Sequence, residues 1–155
     1  MSDYVVVDAS LWVARLVAGD VFHEVSRAWM TAQRAEGTRF LAPALLPVEV
    51  AAAISRRTGD TALAQRAVAA LEALPDLRLV AMDEALVQTA VDVAAELGVR
   101  GADAFYIAVA QRLRVPLATL DADQRARAAR VVETPEIPGG SPRGAATAGG
   151  LPRTP

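Results

Sequence analysis

The sequence predicts an α/β fold in which a small, mostly parallel sheet is flanked by helices. Short, continuously apolar runs alternate with longer segments of helical periodicity. The apolar runs lack the in–out alternation of a strand with one wet face, as strands of a parallel sheet covered on both sides do. A length of 155 residues suits one ordinary core.

Tyr4 to Val7 reads as a buried strand, since Val and Tyr favour strands. From Ser10 to about Glu36 apolar residues fall three and four apart, with a break near Gly19, which predicts a helical hairpin. Gly37 ends it, and Arg39 to Ala42 forms a second short strand. Pro43 and Pro47 bracket the next helix start, where a proline costs no intrahelical hydrogen bond. That helix runs through Val50 and Ile54 to Gly59, and Asp60 or Thr61 caps another ending near Leu74-Pro75. Leu77 to Val80 is a third strand. Asp83 caps a long amphipathic helix with Leu86, Ala90, Val93 and Leu97 on one face, stopped by Gly98. A further helix begins around Ala102, followed by a strand at Leu117 to Thr119, a short helix from Asp121 to Arg130 and a last strand at Val131-Val132. Residues 1–133 therefore make the domain. Residues 134–155 are rich in Pro, Gly, Ala, Ser and Thr, with only Ile137 and Leu151 as larger aliphatics, and are expected to form a flexible tail.

Composition narrows the chemistry. No apolar run approaches the roughly 20 residues of a spanning helix, and the start MSDYVVVDAS lacks a basic leader, so the cytoplasm is the expected compartment and no membrane partner is expected. The absence of cysteine removes disulfides, thiolate nucleophiles and sulfur-ligated zinc. All 16 basic residues are arginine, which excludes any mechanism needing a lysine. A formal net charge of −2 shows no basic excess, so any nucleic-acid contact must come from local charge.

Four acids stand at junctions where chemistry is expected. Asp8 follows the first strand and Asp121 the strand at Leu117 to Thr119, and ligands of a parallel sheet bind outside the carboxyl ends of its strands. Glu49 and Asp103 lie near helix N-termini, which favour carboxylates and can direct them to the same crevice. Crowded carboxylates raise one another's pKa unless a cation compensates. Oxygen-only ligation selects a hard ion, Mg²⁺ or Mn²⁺, which can activate a water for in-line attack on a phosphodiester. Each acid also has a plainer role: Asp8 and Asp121 as helix caps, Glu49 and Asp103 as first-turn acids. Asp123 is either an accessory ligand or one more first-turn acid.

VVVDASLWV, LPVEVAAAISRR, GADAFYIAVAQRL and PLATLDADQRARAA, in that order, resemble the PIN-domain ribonucleases, and within them the VapC toxins of bacterial toxin–antitoxin pairs, over about Tyr4 to Glu133. The resemblance implies a PIN-like three-layer fold and a metal-dependent endoribonuclease. Asp8, Glu49, Asp103 and Asp121 match the family's metal-binding acids and Asp123 an accessory acid. Ser10 and Thr119 match polar residues that support them. A homodimer and a cognate antitoxin whose tail enters the acidic crevice are further implications. Pro47 and the long Pro/Gly tail depart from the pattern without touching a motif residue.

Arg56-Arg57 and the run Arg112, Arg114, Arg125, Arg127, Arg130 are either RNA-phosphate contacts or a solvated face. His23 is expected to pack between helices or lie at the surface rather than bind metal. Trp12, Phe22, Trp29, Phe105 and Tyr106 fall at apolar helical positions and are expected in the core or a dimer contact. Two other functions compete. A phosphatase or receiver using Asp8 as nucleophile or phospho-acceptor would use a lysine, which is absent, and the phosphatase type would also have a second acid where Ser10 stands. A non-catalytic PIN-like module that binds RNA or protein has no reason to gather uncompensated acids in one crevice.

Overall fold

The structure, a computed structural model, describes residues 3–140. Along the chain come β1 (Tyr4–Val7), α1 (Ala9–Leu16), α2 (His23–Ala35), β2 (Arg39–Pro43), α3 (Leu46–Thr58), α4 (Thr61–Glu72), β3 (Leu77–Val80), α5 (Glu84–Leu97), α6 (Gly101–Leu113), β4 (Leu117–Ala118) and α7 (Ala122–Ala128). The four strands form one sheet in the order β3-β2-β1-β4, and every pairing is parallel. Val5 is in register with Phe40, and Val7 with Ala118.

This order creates a place for a site. The chain steps outward from β1 to β2 to β3, then returns past β1 to add β4 on its other side. Crossovers between parallel strands are right-handed, so steps in opposite directions put their helices on opposite faces of the sheet. Accordingly α6 lies against β1, β2 and β4, with α5 packed on it, while α1, α2, α3 and α4 pack on one another. The strand order reverses between β1 and β4, and the crevice beyond their carboxyl ends is where such sheets bind ligands.

Local chemistry sets the helix ends. Asp8, Asp60, Asp83 and Asp121 cap α1, α4, α5 and α7, each carboxylate accepting a backbone N–H from the first turn. Gly98 ends α5 at φ 66, a conformation costly for residues with a Cβ, and a Cβ there would meet Arg127 Nη1 at 3.2 Å. His23 ties α2 to α1 through Nδ1 and the Ala14 carbonyl oxygen, 2.9 Å apart, the packing role expected of it.

The core centres on Phe40, the second residue of β2, which is sealed from solvent. Trp12 meets it edge-on with ring centroids 5.7 Å apart, Trp29 tilts against it at 6.5 Å, and the Arg34 guanidinium covers its ring at 5.1 Å. Arg34 also pairs with Asp76, just before β3, so one cation joins α2 to the far edge of the sheet.

One expectation changes. Val131-Val132 is not a strand: both backbone N–H groups donate to the Ala128 carbonyl at 2.9 Å, extending the turn that closes α7. Two β-branched residues directly after a helix cannot outweigh that helix's unsatisfied carbonyls. Beyond Glu133, the described residues 134–140 lie on the domain, with Ile137 buried in the core and Glu136 paired with Arg125 at 3.2 Å. Residues 141–155, the rest of the segment expected as a tail, lie outside the described residues.

Phe40→Ala removes a fully buried ring from between two tryptophans. Its unfolding free energy in urea is expected to fall by about 3–5 kcal/mol, and an unchanged denaturation midpoint would refute Phe40 as the centre of the core.

Candidate active site

Asp8 sits where β1 becomes α1, and its backbone N–H continues the ladder to β4 by donating to the Ala118 carbonyl at 2.9 Å. Its side chain is only 5% exposed. A carboxylate at that depth needs donors, and the chain supplies them locally and from β4. Ser10 N–H donates to Oδ2 at 3.1 Å and the Gln124 amide Nε2 donates to Oδ1 at 3.3 Å. The Thr119 hydroxyl has one proton and two acceptors, Gln124 Oε1 at 2.7 Å and Asp8 Oδ2 at 3.3 Å. The carboxylate sets the orientation of the Gln124 amide, because Oε1 turned toward Asp8 would oppose two acceptors.

The same hydroxyls position the segment after β4. Leu120 N–H donates to Ser10 Oγ at 3.1 Å, and Asp121 N–H donates to Thr119 Oγ1 at 3.1 Å. Asp121 in turn caps α7, accepting Gln124 N–H at 3.0 Å. Ser10 and Thr119 thus join two acid-bearing segments more than a hundred residues apart.

Glu49 is half-buried in the first turn of α3 and accepts the Tyr106 hydroxyl of α6 at Oε2. Burial pushes its carboxyl above the ordinary value, opposed by the Tyr106 hydrogen bond and reinforced by Asp8 and Asp103. The Tyr106 hydroxyl is itself held protonated, first by burial and then by Glu49. Asp103, in the first turn of α6, is pushed up to about 6, chiefly by burial and then by Asp8, with Asp121 and Asp123 adding to it and Arg100 opposing it. Asp103 is thus within electrostatic reach of Asp8, Asp121 and Asp123, and Glu49 of Asp8 and Asp103.

Arg100 stands beside two of them. The exposed guanidinium of Arg100 lies 3.8 Å from Asp103 and 3.9 Å from Asp121. Asp123 points to solvent and pairs with Arg127 at 3.1 Å, one helical turn on, so its charge is already answered. Among the described residues no group of three or more acidic or histidine side chains is set to hold a metal ion as it stands. The donor chemistry nevertheless fits Mg²⁺ or Mn²⁺, which need only one or two protein carboxylates and complete their shell with water and substrate oxygens. Asp8 is the best-ordered donor and Asp103 and Glu49 the carboxyls most in need of compensation.

A groove of about 460 Å³ opens beside the acids, reaching from Glu49 and Asp121 to Arg56 and Arg57. Arg112 and Arg114 lie at the opposite end of α6 from Asp103, roughly 13 Å along the helix for nine residues. Arg112 there faces Asp83 at 3.8 Å. Of the arginines singled out in the sequence, Arg56 and Arg57 thus share a groove with Glu49 and Asp121, and Arg112, Arg114, Arg125, Arg127 and Arg130 do not line it.

Three further residues stand at the site, two of them, Gln124 and Tyr106, inside the motif segments. Gln124 stands three positions after the cap Asp121, the spacing of a capping box, and that signal was available in DADQ. Arg100 precedes Asp103 by one turn. Tyr106 reads as core, and it is buried as expected, but its hydroxyl reaches Glu49 across 57 positions of sequence, which no local pattern reveals.

Comparison with known proteins accords with this geometry. The profile of the PIN domain matches residues 5–130. Among solved structures, the Mycobacterium tuberculosis toxin VapC20, described as cleaving the sarcin–ricin loop, superposes with a TM-score of 0.69 at 23% identity, covering 83% of this chain and 97% of its own. VapBC2 from Rickettsia felis, bound to a promoter DNA fragment, gives 0.64 at 10% identity over 85% of this chain and 97% of that one. FitAcB from Neisseria gonorrhoeae gives 0.63 at 19% identity over 84% and 95%. At these identities the likeness is one of fold. No curated protein matches the sequence. The family match spans most of the chain and includes all four acids of the crevice: this chain belongs to the PIN-domain family.

Proposed function

We propose that this protein is a metal-dependent endoribonuclease, the toxin of a toxin–antitoxin pair, acting in the cytoplasm as a homodimer that a cognate antitoxin restrains. What supports this reading most is that Asp103 lies within electrostatic reach of Asp8 and Asp121, and Glu49 within reach of Asp8 and Asp103, beyond the carboxyl ends of β1 and β4 in a PIN domain. A bound Mg²⁺ or Mn²⁺ would supply an activated water and would neutralise charge on the phosphoryl group. The chain's own part is to fix Asp8 through Ser10, Gln124 and Thr119, to orient Glu49 through Tyr106, and to keep Asp103 close to neutrality in its proton affinity. Such a carboxyl could accept the proton that water loses as its oxygen attacks phosphorus, and the departing ribose oxygen would take its proton from solvent water. Asp121 belongs to the same acid set, and Asp123, turned to Arg127, takes the accessory place. Val87 and Val91, exposed one turn apart on α5, offer an apolar face for the second copy.

That no three acids among the described residues are set to hold a metal ion favours a second reading, a PIN-like module that binds RNA or protein without cutting it. Absence of divalent-ion binding in calorimetry would select it.

Single-stranded RNA with Mg²⁺ or Mn²⁺ is expected to be cut by the wild type. Asp8→Asn should lose about a thousandfold in rate, the equivalent of about 4 kcal/mol of metal-dependent stabilisation, while still unfolding in one cooperative transition above the assay temperature. Equal rates in the two proteins would sink the assignment.

A protonated carboxyl is a poor ligand, and Asp103 holds its proton up to about pH 6. Mn²⁺ affinity measured by calorimetry should therefore be steady above that point and weaken by about tenfold per unit as pH falls below it. Arg100→Gln removes a cation that lowers this carboxyl's pKa, so the break should move to higher pH; a profile flat across the range contradicts the assignment of Asp103. Co-expression with the adjacent reading frame should retain a small protein on the purified chain, and failure to retain one counts against the toxin–antitoxin reading.

A further inference from the structure

We infer that the groove along α3 is the track for a single RNA strand, with Arg56 holding a backbone phosphate next to the one at the acids. The inference rests on the nuclease reading above and names how that site takes its substrate. Glu49 and Arg56 are seven residues apart on α3, two turns and about 10.5 Å along one face, and both line the same groove. A strand lying along α3 therefore meets Glu49 and Asp121 at one end and a guanidinium at the other.

Arg56 and Arg57 differ in availability. Arg57 is bound to Asp20 at 2.8 Å, and Asp20 also accepts the Phe22 N–H at 2.9 Å, so this pair braces the turn before α2. Arg56 is exposed and makes no hydrogen bond or ion pair among the described residues. Its guanidinium has its donors to offer, in the planar fork that suits phosphate oxygens.

The floor and wall between the two ends suit a base rather than a second phosphate. Ala52 and Ala53 leave the helix surface low between Glu49 and Arg56, and Phe22 and Val48 line the same space. Val48 is 64% exposed beside a charged centre, a large apolar group without a partner in the fold. An unstacked nucleobase can cover such a surface, whereas a duplex keeps its base faces stacked inside. The sequence of charges, acids then apolar floor then free arginine, matches a phosphate at each end of a nucleotide span.

The probe is a pool of short, random-sequence single-stranded oligoribonucleotides, cut with Mn²⁺ by the wild type and by variants. Arg56→Ala should raise KM about tenfold with kcat within about twofold, and should flatten the slope of log(kcat/KM) against log salt by about 0.7, the value of one single-strand phosphate contact. Ala52→Trp, at an exposed position that leaves the core untouched, should raise KM similarly while Mn²⁺ affinity stays at the wild-type value. Arg112→Ala, at the far end of α6, should change neither. Wild-type KM and salt slope in both groove variants overturn the proposal. Loss of a co-purifying protein partner from those variants, with RNA kinetics unchanged, also overturns it and gives the groove to a protein. If the wild type cuts no RNA, the nuclease reading fails on its own. Fluorescence anisotropy of a labelled oligonucleotide in Ca²⁺ then still reads the groove: about tenfold weaker binding by Arg56→Ala supports the track, and equal binding overturns it.

Discussion

The site depends on the burial of one carboxylate. Asp8 lies at the end of a central strand, where the sheet order reverses, and almost none of it reaches solvent. An ion in that position is tolerable only with donors close at hand. Ser10 N–H comes from its own helix start, while Gln124 and Thr119 arrive from the segment after β4. Satisfying Asp8 therefore also docks that segment, and with it Asp121. The capping hydrogen bond and the proposed ligand role are compatible: a cap fixes the carboxylate's orientation, and two oxygens retain lone pairs beyond those the cap uses.

The other acids are held differently. Asp103 and Glu49 are only partly buried, and both are pushed toward the neutral form by burial and by their neighbours. Arg100 answers part of that charge from an exposed position, too far for tight pairing. Surface pairs of this kind contribute little to stability and are readily rearranged. The crevice is thus left with a surplus of negative charge that a divalent cation would relieve, and relief of that surplus links the fold to the proposed chemistry.

Most of the fold could be read from the sequence because its signals are local. Asp83 and Gly98 bound α5 as expected, and the Tyr4–Val7 run reads as a buried strand because it is one. The failure at Val131-Val132 is also local in origin, with two residues of strand propensity captured by the end of a helix. The acids were legible as positions, at strand ends and first helical turns. Their partners were less so. Tyr106 looks like any core aromatic until its hydroxyl is seen against Glu49, and Gln124 looks like a first-turn residue until its amide is seen against Asp8. Side-chain pairs that span the chain follow from topology, which single motifs do not encode. The arginines show the same limit: composition made them equivalent, and only the groove separates Arg56 from Arg112.

The most direct measurement is anomalous diffraction from crystals of the wild-type protein equilibrated with Mn²⁺. One peak within coordinating distance of an Asp8 oxygen, facing Asp103 and the Glu49–Tyr106 pair, is the predicted result. No peak in the crevice at saturating Mn²⁺, or one found only at acids elsewhere on the surface, would contradict a metal centre built on Asp8.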